Sequence, residues 1–122
     1  MELLNFKRKN GEYKYTDSKR EWVTKTGLYY ICYPFMIYKD KDHYALTHLS
    51  SGALVCKTSY LYSAKYIATR LLPVPQFLLP THDLVSHMTR EQKSFCMDII
   101  GRYRNENKVS VTYLDKKCPF KI

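Results

Sequence analysis

His43-Tyr-Ala-Leu-Thr-His-Leu-Ser-Ser-Gly-Ala-Leu-Val-Cys-Lys-Thr-Ser-Tyr-Leu-Tyr-Ser-Ala-Lys-Tyr-Ile-Ala-Thr-Arg-Leu-Leu72 changes its hydrophobic period partway along. Up to Cys56 it alternates as two short strands around a turn, and from Tyr60 its apolar positions recur at helical spacing. Ser50-Ser51-Gly52 is the reversal, where glycine supplies the positive φ that a tight hairpin asks for. Thr58 or Ser59 is the expected helix cap. At about 100° per residue, Tyr60, Leu61, Ala64, Ile67, Ala68, Leu71 and Leu72 share one broad face that should pack on the sheet. Tyr62, Tyr66, Thr69 and Arg70 face the other way, with Lys65 flanking.

Upstream, Leu28 to Tyr38 is a continuous run of strand-forming apolar and aromatic residues. Pro34 cannot donate to a ladder, so the run is one bent strand or two. Lys39-Asp40-Lys41-Asp42 is the charged reversal into Tyr44–Leu49. Before it, Glu21–Lys25 reads as a short strand with Trp22 covering a core edge. Residues 1–20 read as a partly ordered basic segment with a turn at Asn10-Gly11 and a short strand over Glu12–Tyr15.

Downstream, Pro73, Pro75 and Pro80 stop the helix and should hold Val74–Leu79 extended across the body, with Phe77, Leu78 and Leu79 covered. Thr89 and Gln92 form a capping box that opens a second helix to about Asn105, its stripe being Phe95, Cys96, Ile99, Ile100 and Tyr103. Val109–Tyr113 alternates as a final strand. The expected fold is therefore α+β, an antiparallel sheet of three to five strands packed against two main helices. Residues 21–122 form a single domain, as the length of 122 residues suits.

Twenty basic against eleven acidic side chains leave a net charge of +9, which bears on partners rather than on fold. No acidic residue falls between Asp42 and Asp83, while Lys57, Lys65 and Arg70 do. Lys7, Arg8 and Lys9 form a second basic cluster, read as a solvated end or as a phosphate-gripping arm. Cys32, Cys56, Cys96 and Cys118 show no metal or disulfide spacing, so reduced thiols and a cytoplasmic location are expected. The charge that follows Phe6 argues against a secretory leader, and no apolar run reaches the ~18 residues of a membrane span. Neither a cofactor nor a membrane is expected.

The order strand, strand, strand, helix over residues 28–72, with the approach Lys57-Thr58-Ser59 to Ala64, resembles the three-stranded-sheet-plus-helix arm of phage-type integrases. That resemblance implies a sheet lying in the DNA major groove. Thr47-His48-Leu49-Ser50-Ser51-Gly52 ahead of such a helix is also similar to patterns in small phage proteins.

The expected function is a small basic, non-enzymatic nucleic-acid-binding protein encoded by a phage or mobile element. Its contacts would be Lys57, Tyr62, Lys65, Tyr66 and Arg70 with Lys7, Arg8 and Lys9, because lysine and arginine meet phosphates and tyrosine stacks on bases. The alternative is a phage-type inhibitor seated on a host nucleoprotein complex such as a CRISPR effector, a restriction enzyme or a polymerase. A nuclease built on Asp40, Asp42 or His48 is the residual reading.

Overall fold

The computed structural model describes residues 2–80 and 83–106, apart from the side chains of residues 102–106. Five strands, β1 (Lys7–Thr16), β2 (Trp22–Cys32), β3 (Phe35–Asp40), β4 (His43–His48) and β5 (Leu54–Thr58), form an antiparallel sheet in sequence order. Helices α1 (Leu61–Leu71) and α2 (Arg90–Glu106) pack against one another on one face, with a 3-10 turn at Pro75–Leu78 between them. The sheet-plus-two-helix α+β architecture is thus present. Val109–Tyr113, Cys118 and the side chain of Tyr103 lie outside the described residues.

The aromatic run divides at Tyr33-Pro34, whose peptide bond is cis. Cross-strand partners point to the same side, so the register sorts the sheet into two faces. Tyr30, Ile37 and Leu46 stand on one, and Tyr29, Tyr38 and Ala45 on the other. The first face meets Ala64, Ile67, Ala68 and Leu71 of α1 and Cys96, Ile99 and Ile100 of α2. Neither described helix covers the second, yet Met36, Tyr38 and Ala45 are buried there.

Their cover is the β1–β2 ribbon folded back on the sheet. Thr16 pairs with Trp22, seven residues before the Tyr29–Tyr38 pair, so a straight ribbon would hold it roughly 23 Å beyond that pair at 3.3 Å per residue. Instead the Thr16 amide and hydroxyl donate to the Gly52 carbonyl at 2.9 and 2.8 Å. Gly52 in turn donates to the carbonyl of His48, which faces Phe35 at the opposite end of β3. The ribbon therefore doubles over, and it carries a directly paired Gly11 and Gly27 along the way, the latter at φ +157°. Tyr15 then stacks on Tyr38 at 4.5 Å and 16°, with Tyr13 5.3 Å away. Burial first, then Tyr15 and Asp40, raise the pKa of the Tyr38 hydroxyl and keep that hydroxyl neutral.

Several local expectations change. Asn10-Gly11 lies within β1 rather than at a turn, and Phe6 ahead of it enters the core, so the first twenty residues include an edge strand and a core anchor. In its second half, exposed Glu12 and Lys14 alternate with partly buried Tyr13 and Tyr15, giving that stretch one wet and one covered side. Thr58 ends β5 and donates its hydroxyl to the Tyr60 carbonyl at 2.7 Å, so no side chain caps α1, whose cap residue is the exposed Tyr60. The 3-10 turn sends Phe77 inward and leaves Leu78 and Leu79 exposed. Around α2 the capping box forms, Thr89 N–H to Gln92 Oε1 at 2.9 Å and Gln92 N–H to Thr89 Oγ1 at 3.1 Å. Phe95, however, is exposed while Cys96, Ile99 and Ile100 are buried.

Gly52 locks the folded ribbon. Its φ is +69°, and a Cβ there would lie 2.8 Å from two ring atoms of Trp22 and 2.9 Å from the Thr16 methyl. Gly52→Ala is expected to destabilise the protein by about 1–2 kcal/mol, the strain of the left-handed conformation, and to push the Trp22 ring off the turn. Urea unfolding followed by the emission of this lone tryptophan reads both effects, and Gly11→Ala, whose Cβ meets nothing within 4 Å, is the neutral control.

Candidate functional site

The outward row of α1 is built by helical spacing. Tyr62 and Tyr66, one turn apart, stack with ring centroids 6.4 Å apart and planes 30° apart. Arg70 Nη1 lies 3.5 Å from the Tyr66 hydroxyl, continuing the row by another turn. Tyr62 is 60% exposed, whereas Tyr66 is half-buried against the core. Lys65, beside this row, sets its ammonium 5.5 Å from the centre of the Tyr30 ring, a cation–π distance.

Tyr30 links the helix to the N-terminal basic cluster. It is directly paired with Arg8 across the β1–β2 register, so Arg8 and Lys65 both neighbour it on the helix-covered face. The preceding segment fixes this arrangement. Leu4 N–H donates to Thr69 Oγ1 at 3.0 Å, while the Thr69 hydroxyl donates to the Lys65 carbonyl at 2.8 Å. Leu4 and Phe6 pack into the same core as α1. Neither Tyr30 nor this strap was among the residues singled out from sequence. A continuous apolar run does not show which of its members sit beside a helix, and the Leu4–Thr69 bond spans 65 positions.

Arg8, Tyr62, Lys65, Tyr66 and Arg70 thus belong to one side of the molecule. Among the described residues, Arg8, Lys65 and Arg70 form no ion pair. Lys7 and Lys9 are opposite Ile31 and Tyr29, on the other side of the edge strand. Lys57 does not join the set. It stands opposite Ala45, on the face away from α1, and its ammonium lies 2.7 Å from Asp40 Oδ2. Strand alternation is the reason, because the neighbouring Cys56 takes the inward position.

Asp40, Asp42 and His48 do not gather either. Asp40 and His48 are at opposite ends of the β3–β4 pair, five residues or roughly 16 Å apart. Lys41, between the two aspartates, takes φ 57° as part of a two-residue reversal. His48 is fully buried, its Nε2 donating to the Phe77 carbonyl at 2.8 Å while Nδ1 lies 2.7 Å from Ser51 Oγ. Among the described residues no group of three His, Cys, Asp or Glu side chains could hold a metal ion. No described helix is long and apolar enough to cross a membrane. No family model, curated protein or solved structure matches the chain.

Proposed function

We propose that this is a small, non-enzymatic nucleic-acid-binding protein of the cytoplasm, encoded by a phage or mobile element. The observation that carries the reading is the meeting of Arg8 and Lys65 at Tyr30, next to the Tyr62–Tyr66–Arg70 row. Basic groups from the chain's start and middle are held on one side by packed backbone, with aromatic rings between them. Such a surface gains affinity for a polyanion by releasing its condensed counterions. A sheet lying in a groove, the mode implied by the integrase resemblance, would first have to displace either the helices or the folded ribbon. We therefore assign the contact surface to α1 and the adjoining edge of β1.

A fluorescence-anisotropy titration of a labelled oligonucleotide over a salt series tests it. With three cations engaged, Arg8, Lys65 and Arg70, log K should fall against log salt with a slope of about −2, roughly a 20-fold loss between 50 and 200 mM. Arg8→Ala with Lys65→Ala should flatten the slope by more than half. Binding that is absent at low salt, or indifferent to salt, removes the proposal.

A further inference from the structure

We infer that this surface takes unpaired nucleic-acid strand in preference to duplex, an inference that rests on the polyanion-binding reading above. The first support is the shape of the helix surroundings. A helix 10–12 Å across fits a 12 Å major groove only if it stands clear of its own protein. Here α1 is packed against α2, and the Leu4–Phe6 strap is bonded to it through Thr69. With α2 and the strap packed against it, α1 does not stand clear of its own protein as groove insertion requires.

The second support is the chemistry of the row itself. Paired bases show only their edges, and reading an edge needs hydrogen-bonding side chains that reach into a groove. Tyr62, Tyr66 and Tyr30 instead offer rings. Tyr62 stacks on Tyr66 and is the more exposed of the two, a first plane onto which an unstacked base can lie. Tyr66 is held beneath it by the core, so the pair is preorganised and little side-chain freedom is lost when a base arrives. Arg70 at one end of the row, with Lys65 and Arg8 beside it, is placed to meet the phosphates of a strand whose bases turn toward the rings. Every base has a π face, so such a platform selects for unpairedness rather than for sequence.

The test uses the full chain with labelled 20-nucleotide mixed-sequence DNA and RNA strands and the duplex of each, at about 50 mM salt. The wild type should bind one or both strands at least about tenfold more tightly than the matching duplex. Tyr62→Ala should weaken strand binding at least about fivefold, as loss of one stacked base implies, and leave duplex binding within about twofold. Tyr62→Phe should restore the strand affinity, since the ring and not the hydroxyl is used. Equal affinity for strand and duplex, or an equal loss on both with Tyr62→Ala, overturns the inference and leaves the polyanion reading standing. No binding to any of the four overturns both.

Discussion

Phe77→Ala is expected to remove about 3–5 kcal/mol of stability, the range for deleting a buried aromatic side chain. Phe77 has no solvent exposure although it sits in a four-residue 3-10 turn with a proline at its start. Its ring meets Phe35 of β3 at 5.1 Å and 52°, and the His48 ring of β4 at 5.8 Å nearly edge-on. It therefore ties the connection between the two helices to the two central strands. Alanine would leave a void that flanking backbone cannot close, because Val74 on one side is itself packed into the core. A domain of this size has about 5–15 kcal/mol in total, so the loss is at least about a fifth of it. Leu78→Ala, one residue on and exposed, should change stability by no more than about 0.5 kcal/mol. Urea midpoints of the two variants check the assignment, and similar losses from both would mean that the turn is not oriented as described.

The same turn marks where the sequence is readable and where it is not. An apolar segment among three prolines must pack, but which of Phe77, Leu78 and Leu79 turns inward depends on whether the backbone is extended or coiled into a 3-10 turn, and prolines permit both. The β3–β4–β5 meander, the inward face of α1 and the Thr89–Gln92 cap are legible because each rests on residues within one turn or one hairpin of each other. Gly11 and Gly27 are different. Asn10-Gly11 reads as a turn, yet Gly11 lies within a long strand directly opposite Gly27 of the next, and only the register between the two strands reveals this. At the candidate site the Tyr62–Tyr66–Arg70 row follows from helical spacing alone. The addition of Arg8 and the departure of Lys57 do not, because the first depends on the β1–β2 register and the second on strand parity across a bulge at Leu46/Thr47. Distance in the chain, rather than weakness of local signal, hid these relations.

His48 sets the second large effect, a loss of stability on mild acidification. With Nε2 donating to the Phe77 carbonyl, the neutral ring keeps its lone pair on Nδ1, which accepts from the Ser51 hydroxyl at 2.7 Å and faces the Ser51 amide N–H at 3.3 Å. A proton on Nδ1 would confront that N–H and place a charge in the core, where among the described residues no carboxylate bonds to either ring nitrogen. Burial accordingly lowers the pKa below its ordinary 6.5, while the Phe77 hydrogen bond opposes the shift. The unfolded chain takes up a proton at this histidine below pH 6.5 and the folded protein does not until the lowered pKa is reached. The stabilisation is therefore complete above pH 6.5 and falls at up to about 1.4 kcal/mol per pH unit below it, ceasing to fall once the folded protein also binds the proton. His48→Leu should itself destabilise by about 2–4 kcal/mol at pH 7.5, since the Phe77 carbonyl and Ser51 lose their partner, but it should also be less sensitive to pH between 6.5 and 5.5. Urea unfolding of both proteins at pH 7.5, 6.5 and 5.5 isolates the effect, because the other histidines and the carboxylates are common to the pair. Parallel pH dependences would show that His48 takes up its proton in the folded core as readily as in the unfolded chain, with the Ser51 hydroxyl then accepting from Nδ1.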